Sequence, residues 1–193
     1  MEEILKSESC FLSNALLNYL SKGFKSIQEF EIDCSKLDSR FLKEDIRHSE
    51  EFKHLFENLI RIQKSPCLYI FEVNSETSAD LIISKLKDFG AQTQKVIPKL
   101  NTKISNSKIL YVGKVNNFGW GRLITHLGFH TYKNDGNSRE SINHGLHLHY
   151  WAKDIGLRVK YTVMEFDTDM KDILPALEKK LAQKLRPIVG THK

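Results

Sequence analysis

The chain has 193 residues, of which 40% are hydrophobic and 27% are charged, so it suits one domain with an elaboration or a small domain with a helical extension. This composition argues against a disordered chain, and no apolar run approaches the ~18 residues of a membrane span. The N-terminal sequence Met-Glu-Glu-Ile-Leu-Lys lacks the basic start and the cleavage site of a secretory signal. The three cysteines, Cys10, Cys34 and Cys67, are widely spaced and form no Cys-x-x-Cys pair, which favours a reducing cytoplasm and argues against a zinc ribbon.

The net charge of +5 is concentrated in one segment of the chain. Between Lys95 and Arg139 there are eight Lys or Arg residues and one acid, Asp135, which gives a local balance of +7. Residues 1–66 carry ten basic and twelve acidic residues, a balance of −2. Concentrated positive charge suits a polyanionic partner such as a nucleic acid, although a solvated lysine-rich loop explains the same pattern.

The first 65 residues predict helices and carry no catalytic motif. Apolar residues at helical spacing predict a helix from Glu3 to Lys22, which Gly23 ends. Phe24 to Ile32 fits a helix or a strand equally well. Leu42 to Ile62 predicts a second helix, broken by Ser65-Pro66. We interpret residues 1–65 as an N-terminal helical extension, for which a cap over the domain, a dimerisation face of a homodimer and a target-reading module all remain open.

Three strands and several helices are predicted after Pro66. Alternating apolar residues predict strands over Cys67 to Val73, from Ile109 to Gly113 and over Arg158 to Glu165. Helices are predicted up to Phe89, after Gly121, over Leu146 to Lys153, and near the C-terminus, where Asp169 is a plausible cap. The last helix has a buried stripe of leucines, and Glu178 falls on the edge of that stripe. A carboxylate beside an apolar seam needs a partner, and either a metal ion or a salt bridge to Arg122 or Arg186 supplies one.

The stretch from Ile109 to Leu127 brings several reactive side chains to one place. A short strand carries Tyr111, a glycine-rich turn follows Lys114, and Arg122 and His126 are four residues apart on one helix stripe. A guanidinium is the best bidentate partner for phosphate oxygens, so this set suits a phosphodiester. The plainer alternatives are a strand aromatic for Tyr111, a surface cation for Arg122 and a packing or capping role for His126.

Tyr111-Val112-Gly113-Lys114, followed by Arg122 nine residues after Gly113 and then by His126, resembles the second half of the GIY-YIG nuclease signature. Cys67-Leu68-Tyr69 resembles its first half, and Glu178 matches the metal-binding glutamate of the family. The resemblance covers Cys67 to Gly190, about two thirds of the chain. It implies an α/β (α+β) fold in which helices flank a small, mostly antiparallel, three-stranded sheet, with a nuclease domain over residues 66–193 and an insertion at about 75–107.

The resemblance also implies metal-dependent hydrolysis of phosphodiester bonds in nucleic acid, with double-stranded DNA as the expected partner. Glu178 would hold Mg²⁺ or Mn²⁺, Arg122 would stabilise the phosphate, and Tyr111 would take the proton from water with Lys114 close by. Tyr69 and His126 would support the tyrosine or orient water and phosphate. The candidate contacts to the nucleic acid are Lys114, Arg122, His130, Lys133 and Arg139.

The sequence departs from the family pattern at three points. Cys67 replaces the usual glycine, about forty residues separate Tyr69 from Tyr111, and Gly190 stands where an asparagine is common. These departures keep open a second interpretation, a catalytically weak or inactive module that binds a nucleic acid or a partner. A third interpretation, a zinc-dependent hydrolase, rests on the histidines of residues 126–149, although no His-Glu-x-x-His motif is present.

Overall fold

The structure is a computed structural model that describes residues 1–93, 96–101, 106–129 and 145–190. The described part contains a mixed α/β arrangement of six helices and one sheet, with several short 3-10 turns between them. The helices are α1 (Glu2–Lys22), α2 (Lys53–Arg61), α3 (Ala79–Thr93), α4 (Gly119–Leu127), α5 (Leu148–Trp151) and α6 (Leu174–Leu185), and the strands are β1 (Ser26–Asp33), β2 (Cys67–Val73), β3 (Ile109–Val115) and β4 (Arg158–Glu165).

The sheet has four antiparallel strands in the order β1-β4-β2-β3, so the expected three-stranded sheet is wrong by one strand. The extra strand is β1, which comes from the segment whose pattern fits a helix or a strand equally well. It pairs with β4 along its whole length, from Ser26 opposite Glu165 to Asp33 opposite Arg158. The neighbouring strand decides the conformation, because β4 offers a ladder of backbone groups that a helix at this position would leave unpaired.

The two faces of the sheet support separate hydrophobic clusters. On one face, Tyr69, Phe71 and Tyr161 belong to the large cluster, together with residues from α2, α3, α4 and α5. On the other face, Leu68 packs with Ala15 of α1 and with residues near the start of α6. Since neighbouring strand residues point to opposite faces, Leu68 belongs to one cluster and Tyr69 to the other.

Apolar residues between Cys34 and Ile62 belong to the large cluster. Phe41, Ile46 and Phe56 are buried in the same core as Phe71, so the packing does not divide at residue 65. The predicted long helix from Leu42 to Ile62 is wrong in its first half, which forms 3-10 turns. The reason is local, because carboxylates such as Asp45 accept hydrogen bonds from nearby backbone N–H groups and so favour turns over a continuous helix.

The C-terminal segment covers the outer edge of β3. Ile188 N–H donates to the carbonyl of Ile109 at 2.8 Å, and Val189 N–H donates to the carbonyl of Leu110 at 3.0 Å. Helix α6 precedes this segment and packs against β3, so the chain end fixes α6 beside that strand. Within the described residues, none of the helices combines the length and the apolar character needed to cross a bilayer.

Candidate active site

Tyr69 and Tyr111 lie on the same face of the sheet, on neighbouring strands. In the β2–β3 register Tyr69 is opposite Gly113 and Phe71 is opposite Tyr111, so both phenols point to the same side. The two rings are 6.2 Å apart between centroids and are tilted by 34°. The alternation of apolar residues in the two strands therefore brings together two hydroxyl groups that are far apart in the sequence.

Gly113 provides the space in which the Tyr69 ring lies. A Cβ atom at Gly113 would be 2.5 Å from both Cζ and Oη of Tyr69, and 2.7 Å from Cε1 of Tyr111. These distances are far below ordinary contact, so any other residue at this position would displace a phenol. The glycine of the Tyr-Val-Gly sequence is therefore required by the close approach of the tyrosine side chains, and its backbone φ is not in the left-handed region.

Helix α4 brings Arg122 and His126 to the two phenols. It begins after Phe118 and ends at Gly128, both of which adopt left-handed conformations that stop the helix from extending. Arg122 Nε donates a hydrogen bond to the Tyr69 hydroxyl at 3.3 Å, and the guanidinium also hydrogen-bonds Tyr111. One turn later, His126 Nε2 lies 3.0 Å from the same Tyr69 hydroxyl.

The hydrogen bonds of His126 define its protonation. The N–H of Leu146 donates to His126 Nδ1 at 3.3 Å, so in the neutral ring the hydrogen is on Nε2 and is donated to Tyr69. Burial, together with the charge of Arg122, lowers the pKa of His126 well below its usual value, so the ring is neutral at neutral pH. Tyr69 oxygen thus accepts hydrogen bonds from both Arg122 and His126.

The pKa values of Tyr69 and Arg122 are both raised, which leaves the phenol neutral and the guanidinium charged. Burial raises the pKa of the Tyr69 phenol, and the carboxylate of Glu178 adds to that rise, while Arg122 opposes it. Burial works against the charge of Arg122, but the two tyrosines outweigh it and raise the pKa of the guanidinium. At neutral pH the site therefore contains a neutral Tyr69 and a fixed, partly desolvated cation.

Glu178 belongs to the same constellation although it comes from α6. Its side chain is partly buried, and its negative charge acts on the Tyr69 phenol. Helix α6 packs beside β3, the edge strand that carries Tyr111, which explains how a residue so distant in sequence comes near this part of the sheet. The structure thus brings together Tyr69, Tyr111, Arg122 and His126, and the charge of Glu178 acts on the first of these.

No protein-family model, curated protein or solved structure matches the chain.

Lys114 lies on the opposite face of β3 from Tyr111, so the expectation that it sits beside that phenol is wrong. It pairs across the sheet with Leu68, and its Nζ donates to Asn116 Oδ1 at 3.4 Å. A separation of three positions in a strand places side chains on opposite faces, whereas the cation next to Tyr111 is Arg122. Three predicted nucleic-acid contacts, His130, Lys133 and Arg139, lie outside the described residues.

Among these side chains, the Glu178 carboxylate is the one suited to a hard divalent cation. Mg²⁺ keeps several water ligands and is often bound through one or two carboxylates, and Mn²⁺ accepts the same oxygen donors. Among the residues that the structure describes, no group of three or more His, Cys, Asp or Glu side chains could hold a metal ion. A closed zinc site needs such a group, and the zinc interpretation also involved His130 and His144, which lie outside the described part of the chain.

Two features of the site could not be read from the sequence. The Leu146 N–H that selects the tautomer of His126 is a backbone group, and no side-chain pattern marks it. The close packing of Tyr69 against Gly113 depends on strand register, which the separate strand patterns do not specify.

Proposed function

We propose that this chain is a divalent-metal-dependent endonuclease that hydrolyses phosphodiester bonds in double-stranded DNA. The observation that carries the proposal is the convergence of Tyr69, Tyr111, Arg122 and His126, joined by hydrogen bonds or ring contacts, with the charge of Glu178 acting on the same phenol. A cation, an anion and two hydroxyl groups within one small region are the elements that phosphoryl transfer needs.

Arg122 supplies the positive charge for the phosphate. Its guanidinium is oriented by hydrogen bonds to the phenols of Tyr69 and Tyr111. Because the side chain is already held in place and partly desolvated, it interacts with the phosphate oxygens without first losing side-chain freedom. In this mechanism Arg122 stabilises the negative charge on the phosphate oxygens as water attacks phosphorus.

Tyr111 is the better candidate for the general base. Tyr69 is buried with a raised pKa, and its oxygen already accepts hydrogen bonds from Arg122 and His126, so it holds the guanidinium in position. Tyr111 is less buried than Tyr69, and it hydrogen-bonds the Arg122 guanidinium that would hold the phosphate. In the proposed step, the water oxygen bonds to phosphorus and its proton passes to the deprotonated Tyr111 oxygen. The P–O ester bond breaks as this bond forms, and the leaving alkoxide takes a proton from a solvent water.

Glu178 would hold the divalent cation, Mg²⁺ or Mn²⁺. When bound, the cation supplies Lewis-acid activation of the phosphate and of water. The charge of the Glu178 carboxylate acts on the Tyr69 phenol, which supports this role. His126 remains neutral and positions Tyr69, so it is a positioning residue in this mechanism.

A second candidate function is a catalytically weak or inactive module that binds nucleic acid. The observation that favours it is Gly190, which stands where the resembled family commonly has an asparagine and whose N–H donates to the carbonyl of Lys99 at 2.8 Å. A glycine offers no side chain to the reaction centre. The two candidates differ in one measurable property, which is metal-dependent cleavage.

The test is a nicking assay on supercoiled plasmid DNA with Mg²⁺ or Mn²⁺. We expect Tyr111→Phe, Arg122→Lys and Glu178→Gln each to reduce the cleavage rate by about 10²-fold or more, since they remove the base, the bidentate phosphate contact and the ligand of the cation respectively. Tyr19→Phe and Asp172→Asn are the matched controls, because they remove a phenol and a carboxylate from elsewhere in the chain.

Binding of a fluorescently labelled DNA duplex, measured by anisotropy, is run beside the cleavage assay. Cleavage that persists unchanged in Tyr111→Phe or Glu178→Gln contradicts the role assigned to that residue. Duplex binding without cleavage in either metal supports the binding-module alternative over the nuclease. Loss of activity in both control variants would show that the assay reports folding and not the site.

A further inference from the structure

Helix α1 exposes an extensive apolar surface. All residues from Met1 to Asn14 are exposed, and Ala15 is the buried residue of the helix. The side chains of Leu5 and Leu20 are 60% and 73% exposed. The large apolar residues exposed along α1 and just after it are Ile4, Leu5, Phe11, Leu12, Leu16, Leu17, Leu20, Phe24 and Ile27.

The first two thirds of α1 are not stabilised by burial against the rest of the chain. An isolated helix of about 14 residues is marginal in water even when its sequence favours helix. A contiguous exposed apolar surface of this extent is also unusual for a monomer and marks an interaction site. The contact that α1 does make is through its second half, where Ala15 and Tyr19 pack against Phe166 and the turn before α6.

The sequence of α1 complements itself when two copies run antiparallel. The first turn carries Glu2 and Glu3, and the last turn carries Lys22, with Lys25 just beyond it. An antiparallel pair centred between Leu12 and Ser13 brings the acidic turn of one helix to the basic turn of the other. A parallel pair would place the acidic turns side by side, which is repulsive.

The same arrangement covers both exposed apolar ends. The unsupported N-terminal half of one helix would lie along the partner's exposed apolar residues, which are Leu16, Leu20, Phe24 and Ile27. The N-terminal half of each α1 then packs against the C-terminal part of the other, as a twofold symmetric interface requires. We propose that this chain forms a homodimer in which the α1 helices of two copies pack antiparallel, with the twofold axis near Leu12.

The proposed interface lies on the far side of the sheet from the candidate active site. Helix α1 packs over Leu68, whereas Tyr69 points to the opposite face. The dimer therefore leaves both constellations of Tyr69, Tyr111 and Arg122 uncovered. The proposed dimer is independent of the proposed nuclease activity, and the oligomeric state alone tests it.

A membrane surface fits the exposed face of α1 less well than a second copy. Amphipathic helices that bind membranes carry lysine and arginine on the polar face, which attracts anionic lipids. The first half of α1 carries three acids, Glu2, Glu3 and Glu8, and one base, Lys6. Lys6 is already paired with Glu2 at 2.9 Å. The first half of α1 therefore has a net negative charge, and anionic lipids would repel it.

Disulfide trapping tests both the partner and the direction of the helices. In a Cys10→Ser background, the two cysteines of a Leu12→Cys dimer lie next to each other across the twofold axis. They are expected to form a disulfide between the two copies under mild oxidation. Leu5→Cys is the matched control, because the rise of an α-helix places the two copies of this residue about 22 Å apart in an antiparallel pair. Cys34 and Cys67 are buried and do not interfere.

Sedimentation velocity then measures the dimer directly. Leu12→Glu should raise the dissociation constant at least about tenfold, while Ser7→Glu, on the opposite side of the helix, should leave it unchanged. Lys22→Glu should weaken the dimer, and adding Glu3→Lys should restore it. Circular dichroism and urea unfolding of each variant separate loss of pairing from loss of folding.

Three outcomes would overturn the proposal. The first is a wild-type protein that is monomeric at concentrations up to about 100 µM. The second is equal trapping of Leu5→Cys and Leu12→Cys, which indicates parallel helices. The third is a monomer that co-sediments with vesicles of phosphatidylethanolamine and phosphatidylglycerol, which identifies a lipid surface as the occupant of the apolar face.

Discussion

Replacement of Gly113 by alanine tests the geometry of the candidate site with the smallest possible change. The added methyl group would lie 2.5 Å from Cζ and Oη of Tyr69, whereas ordinary contact begins at 3.4 Å. The Tyr69 phenol must therefore move by about 0.9 Å, which is the difference between these two distances. That movement would lengthen its hydrogen bonds to His126 and Arg122, which are now 3.0 Å and 3.3 Å.

The change in the free energy of unfolding of Gly113→Ala follows from two opposing contributions. Overpacking of a dense core costs about 1–3 kcal/mol. Removing a flexible glycine from a strand recovers roughly 0.5–1 kcal/mol. We expect Gly113→Ala to lower the free energy of unfolding by about 1–2 kcal/mol, or to lower Tm by roughly 2–8 °C for a chain of this size. A displacement of about 1 Å at a reactive centre costs on the order of 10²-fold in rate.

Urea unfolding and plasmid nicking measure the two effects separately. Gly119→Ala is the matched control, because a Cβ at this position meets only Val115 Cγ1, at an ordinary 3.6 Å. Gly119 opens α4, so its replacement should leave the stability unchanged or raise it by up to about 1 kcal/mol. If Gly113→Ala is as stable as Gly119→Ala, Tyr69 does not occupy the space above Gly113 and the proposed packing of the site is incorrect.

Two further predictions concern thiol reactivity and pH. Cys10 is exposed, whereas burial raises the pKa of both Cys34 and Cys67 to about 12. A thiol reagent such as DTNB should therefore react rapidly with one of the three cysteines in the folded protein and with all three in denaturant. Burial and Arg122 lower the pKa of His126 below its unfolded value of 6.5, so the unfolded chain binds more protons below that pH. The free energy of unfolding should therefore fall as the pH drops through 6.5, with a contribution from this group of at most about 1.4 kcal/mol per pH unit, and His126→Gln should remove that contribution.

Each of these two predictions has a clear contrary result. Rapid labelling of two or three thiols in the folded protein would mean that Cys34 or Cys67 is accessible. A His126→Gln variant with the same pH dependence of stability as the wild type, measured by urea unfolding between pH 5 and 8, would mean that the histidine is not held neutral in the folded state.

Local patterns in the sequence predicted much of the described structure. The alternation of apolar residues predicted β2 and β4 with the bounds that the structure has, and it predicted most of β3. Helical spacing placed Leu123 and Leu127 on one stripe of α4 and Arg122 with His126 on the next. The side chains of Arg122 and His126 do meet at the Tyr69 hydroxyl. These features depend on neighbours a few residues away, which is the range that periodicity describes.

Longer-range contacts decided the remaining features. The segment from Phe24 to Ile32 has no strong preference of its own, and β4 makes part of it a strand by pairing with it. The face of the sheet on which Lys114 lies, the place of Tyr69 over Gly113 and the approach of α6 with Glu178 all depend on strand register or on packing between distant elements.

The sequence by itself therefore determined which segments form strands and helices where a single period dominates, and which residues share a stripe or a face. Only the tertiary structure decided the fourth strand, the cation beside Tyr111 and the neighbours of Tyr69. The physical reason is that a hydrogen-bonded ladder and a packed core take their free energy from residues far apart in the chain, and no local pattern specifies which of them will meet.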